Sequence, residues 1–377
     1  MTDNTFSALP REVGLALLRL EPYYSRVIDW LLGMYDHKTG GFYMTASGRD
    51  DPEMEPAIEM TAWGVSFLRN YTRALDTMPD IFRERVVAFM KERQDPVSGL
   101  FIDKQGPTNP RETARNQAAA LSMLSAFGEP TRYPHPRNTK EKTATSAVMP
   151  EYMASVDSYI GWVSGLNWDK ASWSAGDQTQ SSLQFVGMLA PELREEYKTA
   201  LIEFLEKRQQ PSGLWSPNMD FNAASGAFKV GLIYSSFGLK LPNYDRIIES
   251  VFECYRVAKP TNPFFVRNPI SVLNQMKSYS PEAKAAVQEG VLENIDAIAE
   301  SFGEFLCPDG AFSAAKGRSM RSFGGVVGSH ELFEGDIDAT LMMLIARKTL
   351  YSIFDAEAPA LDTTGFWERL FPEANDR

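Results

Sequence analysis

The hydrophobic pattern of this chain is helical over most of its length. Apolar residues recur at spacings of three and four, whereas the alternating pattern typical of strands is scarce. A fixed order of segments interrupts the pattern. An amphipathic segment ends, a turn with Gly or Pro follows, an aromatic residue closes the turn, and a second helical segment rich in small residues begins. We therefore predict an all-α protein built from helical hairpins.

Six copies of this hairpin can be traced between residues 20 and 350, for example "VVAFMKERQDPVSGLF" and "LIEFLEKRQQPSGLW". Small residues allow the second helices to crowd around an axis, with the bulkier helices outside them. The pattern predicts an (α/α)6 toroid, and an open helical solenoid is the alternative. The predicted closing aromatics are Phe42, Phe101, Trp173, Trp215, Phe265 and Phe312.

Two stretches depart from the repeat. Residues 126–157 form a Pro-, Thr- and Lys-rich insertion, and a loop of this length is either functional or flexible. Residues 313–335 are rich in Gly and include Lys316, Arg318 and Arg321, which predict a mobile basic lid or, alternatively, an ordinary surface loop. Residues 1–377, with these two stretches included, are predicted to form a single domain.

Composition and charge exclude several classes of protein. A chain of 377 residues that is 44% hydrophobic can bury a sizeable core. Its net charge of -11 argues against nucleic-acid partners and a polybasic membrane patch. Two cysteines and three histidines fit neither a disulfide framework nor a zinc site, so no metal is expected. We expect a cytoplasmic protein without a signal peptide or a transmembrane segment.

The turn "FLEKRQQPSGLW" resembles the QW repeat of squalene-hopene and oxidosqualene cyclases. Gln209, Gly213 and Trp215 occupy the characteristic positions, and "FMKERQDPVSGLF" has Phe101 in place of the tryptophan. The resemblance covers most of residues 20–350. It implies the terpenoid cyclase and protein prenyltransferase toroid superfamily.

A second motif resembles the Asp-x-Asp-Asp-Thr of class II terpene cyclases. Here it reads Asp336-Ile337-Asp338-Ala339-Thr340, with Ala339 in place of the family's last aspartate. The resemblance implies that Asp338 protonates an alkene or epoxide, so the protein would be an isomerase that needs no cofactor. The DDxxD signature of class I terpene synthases is absent, and neither cysteine fits the zinc site of the prenyltransferases. One toroid implies a substrate shorter than squalene, such as a farnesyl or geranylgeranyl chain.

The starts of the six second helices are expected at one mouth of the ring, where helix N-termini present unpaired N–H groups. If the ring closes, Glu59 approaches Asp338, with Glu55 and Asp336 close behind. Neighbouring carboxylates favour the neutral acid that protonation requires, and His330 is a candidate partner. Aligning the small-residue cores places at this mouth Glu59, Arg115, Gln180, Ser225, Arg267 and Asp338.

Substrate contacts are predicted at the same mouth. Aromatic faces stabilise a carbocation. Arg115, Gln180 and Arg267 suit a polar acidic head, as in a prenylated aryl acid. For each candidate a structural role stays open, because first-turn carboxylates complement the helix dipole and turn aromatics act as wedges. The candidate aromatics are Trp63, Trp173, Phe221, Phe264 and Phe333.

The leading interpretation is a class II terpene cyclase of isoprenoid or meroterpenoid biosynthesis. It would act on a small polyprenyl substrate, with peripheral membrane contact for substrate uptake and no nucleic acid. The first alternative is a glycosidase or polysaccharide lyase with Glu59 and Asp338 as acid and base. It explains the polar mouth but not the QW-like repeat. A non-catalytic toroid that binds a partner or lipid is the second alternative.

Overall fold

The computed structural model describes residues 9–105, 110–136 and 149–372, with side chains omitted at 110–112. Almost all regular structure in these residues is α-helical, which confirms the all-α prediction. The helices are α1 Arg11–Leu18, α2 Val27–Met34, α3 Ala46–Asp50, α4 Ile58–Tyr71, α5 Asp80–Glu92, α6 Pro110–Ala126, α7 Val156–Gly165, α8 Ser172–Val186, α9 Pro191–Arg208, α10 Phe221–Ser236, α11 Tyr244–Val257, α12 Pro263–Met276, α13 Pro281–Glu293, α14 Ile295–Gly303, α15 Ile337–Ile353 and α16 Phe366–Leu370.

Short elements complete the secondary structure. Three 3₁₀ turns cover Glu21–Tyr24, Ala74–Thr77 and Glu151–Met153. Strands β1 Ser322–Phe323 and β2 Val326–Val327 pair antiparallel as one small hairpin. Within the described residues, no helix is long and apolar enough to cross a bilayer.

The described chain divides into two compact units. Unit 1 comprises residues 9–19, 149–302 and 345–358. Unit 2 comprises residues 20–105, 110–136, 303–344 and 359–372. Each unit is built from stretches that are distant in sequence.

Three hairpin turns of unit 2 share one construction. Each closes with an isolated antiparallel bridge, and the bridges are Tyr35↔Phe42, Gln94↔Phe101 and Leu306↔Phe312. Each phenylalanine is fully buried, and its backbone N–H donates to a polar side chain on a helix that follows it in the chain. The three acceptors are Thr61 at 3.0 Å, Gln117 at 2.7 Å and Thr340 at 3.1 Å. The repeat predicted from the sequence is therefore a structural repeat in the first, second and sixth hairpins.

Two further hydrogen bonds connect neighbouring hairpins of unit 2. The Ile337 N–H, at the start of α15, donates to the Met44 carbonyl at 3.1 Å. The Ile58 N–H, at the start of α4, donates to the Asp103 carboxylate at 3.0 Å. Segment 42–44 therefore lies between the starts of α15 and α4, so the first and last hairpins are neighbours within unit 2.

In unit 1 the helices α8, α10 and α12 pack side by side along small residues. A Cβ on Gly226 of α10 would lie 2.0 Å from Ser172 Oγ of α8. A Cβ on Gly231 would lie 2.5 Å from the Gln275 side chain of α12. These glycines let the helices approach more closely than larger side chains would.

Two predicted turn aromatics of unit 1 are placed differently. Trp173 and Phe265 lie inside the first turns of α8 and α12, not in the preceding turns. The fully buried aromatic before α8 is Trp168, whose Nε1 donates to the Val163 carbonyl at 2.9 Å. Trp215 is buried as predicted, and its Nε1 donates to the Leu205 carbonyl at 2.8 Å.

The two long loops differ in how much of them is described. The stretch 137–148 of the predicted insertion 126–157 lies outside the described residues. Loop 313–335 contains the β-hairpin, and its basic side chains are paired. Lys316 binds Glu304, and both Arg318 and Arg321 approach Glu331. Glu304 and Glu331 therefore offset the positive charge predicted for this loop.

Candidate functional site

Asp336 lies immediately before α15 and serves as its N-terminal cap. The Ala339 N–H donates to its Oδ1 at 2.7 Å. The N–H groups of Ala314 and Met320 donate to its Oδ2 at 2.9 and 3.3 Å. Burial raises the pKa of Asp336 to about 6 against the lowering effect of these three N–H groups, and Glu334 raises it further. Asp336 therefore has the structural role of a helix cap, and it also anchors loop 313–335.

Asp338 is the second residue of α15 and is only 2% exposed. Two residues later, Thr340 holds the backbone of Phe312. Because Asp336 supplies the cap, capping does not account for the burial of Asp338. Ala339, at the position of the last aspartate in the Asp-x-Asp-Asp-Thr motif, is buried as well.

Glu59 and Arg115 occupy the same position in their helices as Asp338 does in α15. Each precedes by two residues the side chain that holds the turn phenylalanine, Thr61 in α4 and Gln117 in α6. Arg115 Nε donates to Glu59 Oε1 at 2.9 Å. The largely buried Glu59 is thus ion-paired with Arg115, which is the sixth residue of α6.

The tip of the β-hairpin covers this pair. Gly324 and Gly325 have positive φ angles of 58° and 81°, as a two-residue hairpin turn requires. The Phe323 ring lies 4.5 Å from the Trp63 ring, and the Arg115 guanidinium lies 4.3 Å from the Phe323 ring centre. A Cβ on Gly324 would lie 2.7 Å from Glu59 Oε2. Loop 313–335 therefore contacts both Asp336 and Glu59.

His330 anchors the same loop elsewhere. Its Nε2 lies 2.8 Å from Asp51 Oδ2, and its backbone N–H donates to Ser47 Oγ at 3.0 Å. The ring is half exposed and is engaged with Asp51. Glu55, which was expected behind the acids, approaches Arg93 and Lys104 at 3.5 Å each. These contacts give His330 and Glu55 structural roles.

A cleft of about 360 Å³ runs between α4 and α6 beside the Glu59–Arg115 pair. Its middle is lined by small side chains from both helices, and the Trp63 ring forms part of one wall. Arg69 lies at the far end, on the last turn of α4. The lining residues are Glu59, Ala62, Trp63, Val65, Ser66, Arg69, Arg115, Ala118, Ala119, Ser122 and Met123.

The other predicted contacts include five in unit 1. Arg267 lies 4.9 Å from the Phe228 ring centre and bonds to Asn268. Trp173 lies 5.9 Å from both the Phe264 and the Phe265 rings. Phe221 is buried against Tyr255, and Gln180 is partly exposed on α8. In unit 2, Phe333 is 52% exposed on the loop before α15.

Sequence reasoning missed Phe323, Gly324 and Arg69. The run "SFGGVV" carried a usable signal, because two glycines between short β-forming residues favour a tight hairpin. Arg69 could have been found from its helical spacing of seven and three residues to Ala62 and Ser66, which places it on the same face of α4.

The part of the chain that the structure describes contains no candidate metal site. No group of three or more His, Cys, Asp or Glu side chains there could hold a metal ion.

Comparison with protein families and with curated proteins adds no relative: no family model matches the chain, and no curated protein is similar to it.

Proposed function

We propose that the protein is a class II terpene cyclase with Asp338 as the acid. The observation that carries the proposal is the division of roles between two acids at one helix start. Asp336 is engaged by three backbone N–H groups, so Asp338 is a buried carboxyl that the cap does not require. A six-hairpin toroid belongs to the proposal, and the adjacency of the first and last hairpins in unit 2 supports it.

The reaction would begin with a neutral Asp338. Its carboxyl proton bonds to the terminal alkene carbon of a linear polyprenyl chain, and the π electrons leave a cation on the adjacent carbon. The next alkene attacks that cation, which closes a ring and moves the charge along the chain. Loss of a proton to a base ends the cascade, so the product has the mass of the substrate.

Groups near the helix starts suit this chemistry. Trp63 and Phe323 offer aromatic faces that can stabilise a cation. Glu59 is a carboxylate paired with Arg115, at the position in α4 that corresponds to Asp338 in α15. We assign Glu59 the final deprotonation.

The test is incubation with farnesyl and geranylgeranyl compounds and with a prenylated aryl acid, followed by mass spectrometry and NMR. Wild-type protein should convert one of them into a cyclic isomer of unchanged mass. Asp338→Asn should lower turnover at least ~10³-fold, because the proton donor is lost. Asp157→Asn, an exposed first-turn acid of α7, is the matched control and should retain activity. Complete recovery of every linear compound from wild-type protein would refute the proposal.

One observation favours a second candidate, an enzyme that acts on acidic polysaccharides. The cleft between α4 and α6 carries Glu59 together with Arg69 and Arg115, an arrangement that suits a carboxylated sugar. Release of reducing ends or unsaturated products from pectin or alginate, abolished by Glu59→Gln, would establish it. Absence of any such product would remove it.

A further inference from the structure

We propose that the cleft between α4 and α6 binds an elongated apolar chain that ends in a single carboxylate, with Arg69 as the residue that contacts the carboxylate. The cleft shares Glu59 with the proposed cyclase reaction and ends at Arg69, on the last turn of α4.

The charges at the two ends of the cleft are unequal. At one end, Arg115 is paired with Glu59 and lies against Phe323. At the other end, no described residue forms an ion pair or hydrogen bond with the exposed Arg69 guanidinium. The lining residues therefore leave one net positive charge, located at Arg69, in a chain whose net charge is -11.

A single guanidinium matches a single negative charge. Its planar pair of N–H donors fits both oxygens of a carboxylate. A diphosphate carries more charge and would call for further cations, and the described lining of the cleft provides none beyond the paired Arg115. The ligand class we infer is consequently a carboxylate and not a diphosphate.

The cleft fixes a length and a direction. Glu59 and Arg69 are ten residues apart on α4, which corresponds to about 15 Å along a helix. Between them the walls are formed mostly by alanine and serine side chains, with Trp63 near the Glu59 end. The hairpin tip closes on that end through Phe323. An apolar tail would therefore lie towards Trp63 and the carboxylate towards Arg69.

This direction rests on the proposed function only in one respect. If Asp338 protonates the distal alkene, the tail must reach the helix starts, which is the end where Glu59 lies. The inferred direction also gives Arg115 a role that differs from the contact with the acidic head that the sequence predicted. Arg115 holds Glu59 and Phe323, and contact with the acidic head passes to Arg69.

Binding can be measured by calorimetry with farnesoic acid as the probe. Farnesol tests the requirement for charge, and farnesyl diphosphate tests the choice of anion. Arg69→Met should weaken binding of farnesoic acid at least tenfold, or about 1.4 kcal/mol. Arg69→Lys should bind at an intermediate level because the charge remains and the paired donors are lost. Arg73→Met, an exposed arginine outside the lining, is the control and should bind like wild type.

The outcomes separate this inference from the cyclase proposal. Equal binding by Arg69→Met and Arg73→Met, or equal binding of farnesol and farnesoic acid, would overturn the site. Tighter binding of farnesyl diphosphate would overturn the assignment of a carboxylate. Asp338→Asn should bind farnesoic acid normally, so loss of turnover in that variant bears on the acid alone. Arg69-dependent binding without any cyclisation would leave the site standing and remove the cyclase.

Discussion

Two carboxyls of one short motif have different surroundings at the residue scale. Asp336 accepts three backbone N–H groups and connects the start of α15 to loop 313–335. Asp338, two residues later, is also buried, although the cap of α15 is supplied by Asp336. Spacing alone could not separate them, because both positions suit an acid near a helix N-terminus. The distinction came from the loop, because the N–H groups of Ala314 and Met320 donate to Asp336.

Asp336 should make stability depend on pH. Its pKa is about 6 in the folded protein and 3.8 as the ordinary value. The folded state therefore holds the proton more tightly, and the free energy of unfolding falls as pH rises from about 4 to 6. By this linkage, the difference in the free energy of unfolding between wild type and Asp336→Asn should favour wild type by about 2 kcal/mol more at pH 4.5 than at pH 7. Urea unfolding of both proteins at the two pH values measures this difference.

Asp95 provides a control of opposite sign. Ser98 donates hydrogen bonds to this exposed carboxylate through its backbone and its hydroxyl, and these lower its pKa. The advantage of wild type over Asp95→Asn should therefore be present at pH 7 and decrease on acidification. A difference between wild type and Asp336→Asn that grows with rising pH would contradict the raised pKa of Asp336.

The QW-like glutamines show how far an element can be inferred from sequence. Gln94 donates to the Gly99 and Tyr133 carbonyls at 2.8 and 2.9 Å. Gln209 donates to the Gly213 and Pro242 carbonyls, both at 2.8 Å. Each glutamine therefore closes its own turn and holds the start of the segment beyond the next helix. The sequence pattern located both of them.

Removal of these glutamines should cost about 1–3 kcal/mol each, because buried carbonyl acceptors lose their partners. We expect Gln94→Ala and Gln209→Ala to lower the free energy of unfolding in urea by this amount. Gln178→Ala is the matched control, since Gln178 is exposed and bonds to Ser174 on its own helix. A Gln178→Ala effect as large as the other two would show that the turn bonds add no stability.

The hairpin tip of loop 313–335 should be sensitive to one added methyl group. Alanine at Gly324 must adopt a positive φ and would place Cβ 2.7 Å from Glu59 Oε2. Alanine at Gly317 has the same strain, with φ of 78°, but meets nothing within 4 Å. Gly324→Ala should therefore be less stable than Gly317→Ala by about 1–3 kcal/mol, as expected for overpacking.

A double variant isolates the contact. In Glu59→Ala protein the carboxylate that opposes the new methyl group is gone, so the two glycine variants should have similar melting temperatures. Persistence of the full difference in the Glu59→Ala background would mean that Gly324 is sensitive for a reason other than Glu59.

Local patterns predicted the helices and the repeated turns because each depends on residues close in sequence. They also placed Glu59 and Asp338 correctly at helix starts. The other four residues expected at helix starts lie inside their helices, at the sixth, ninth, fifth and fifth positions: Arg115, Gln180, Ser225 and Arg267. The same patterns misplaced Trp173 and Phe265, because an aromatic near a helix start reads alike on either side of the boundary. They missed the contact of Phe323 with Trp63, since tertiary packing brings together residues far apart in the chain. The choice of Arg69 over Arg115 for an anion likewise required knowledge of the Glu59–Arg115 pair.

At the scale of the whole molecule, a compact unit is assembled from distant stretches of chain. Unit 2 joins residues near the beginning to residues beyond 303. The Tyr24 hydroxyl donates to the Met343 carbonyl at 2.8 Å, and the Ile337 N–H donates to the Met44 carbonyl. Damage to the last hairpin should therefore weaken the first hairpin, although nearly 300 residues separate them in sequence.

Thr340→Ala tests this coupling in the full-length chain. The substitution removes the acceptor that holds the Phe312 N–H and should cost about 1–2 kcal/mol. Hydrogen–deuterium exchange should then accelerate by about 5–30-fold in amides of 27–44 as well as 337–344. Thr349→Ala is the control on the same helix, because the Thr349 hydroxyl donates to the Ile345 carbonyl within α15. Acceleration confined to residues near 340 would mean that the two hairpins open independently, and this would remove the support that their adjacency gives to a closed ring.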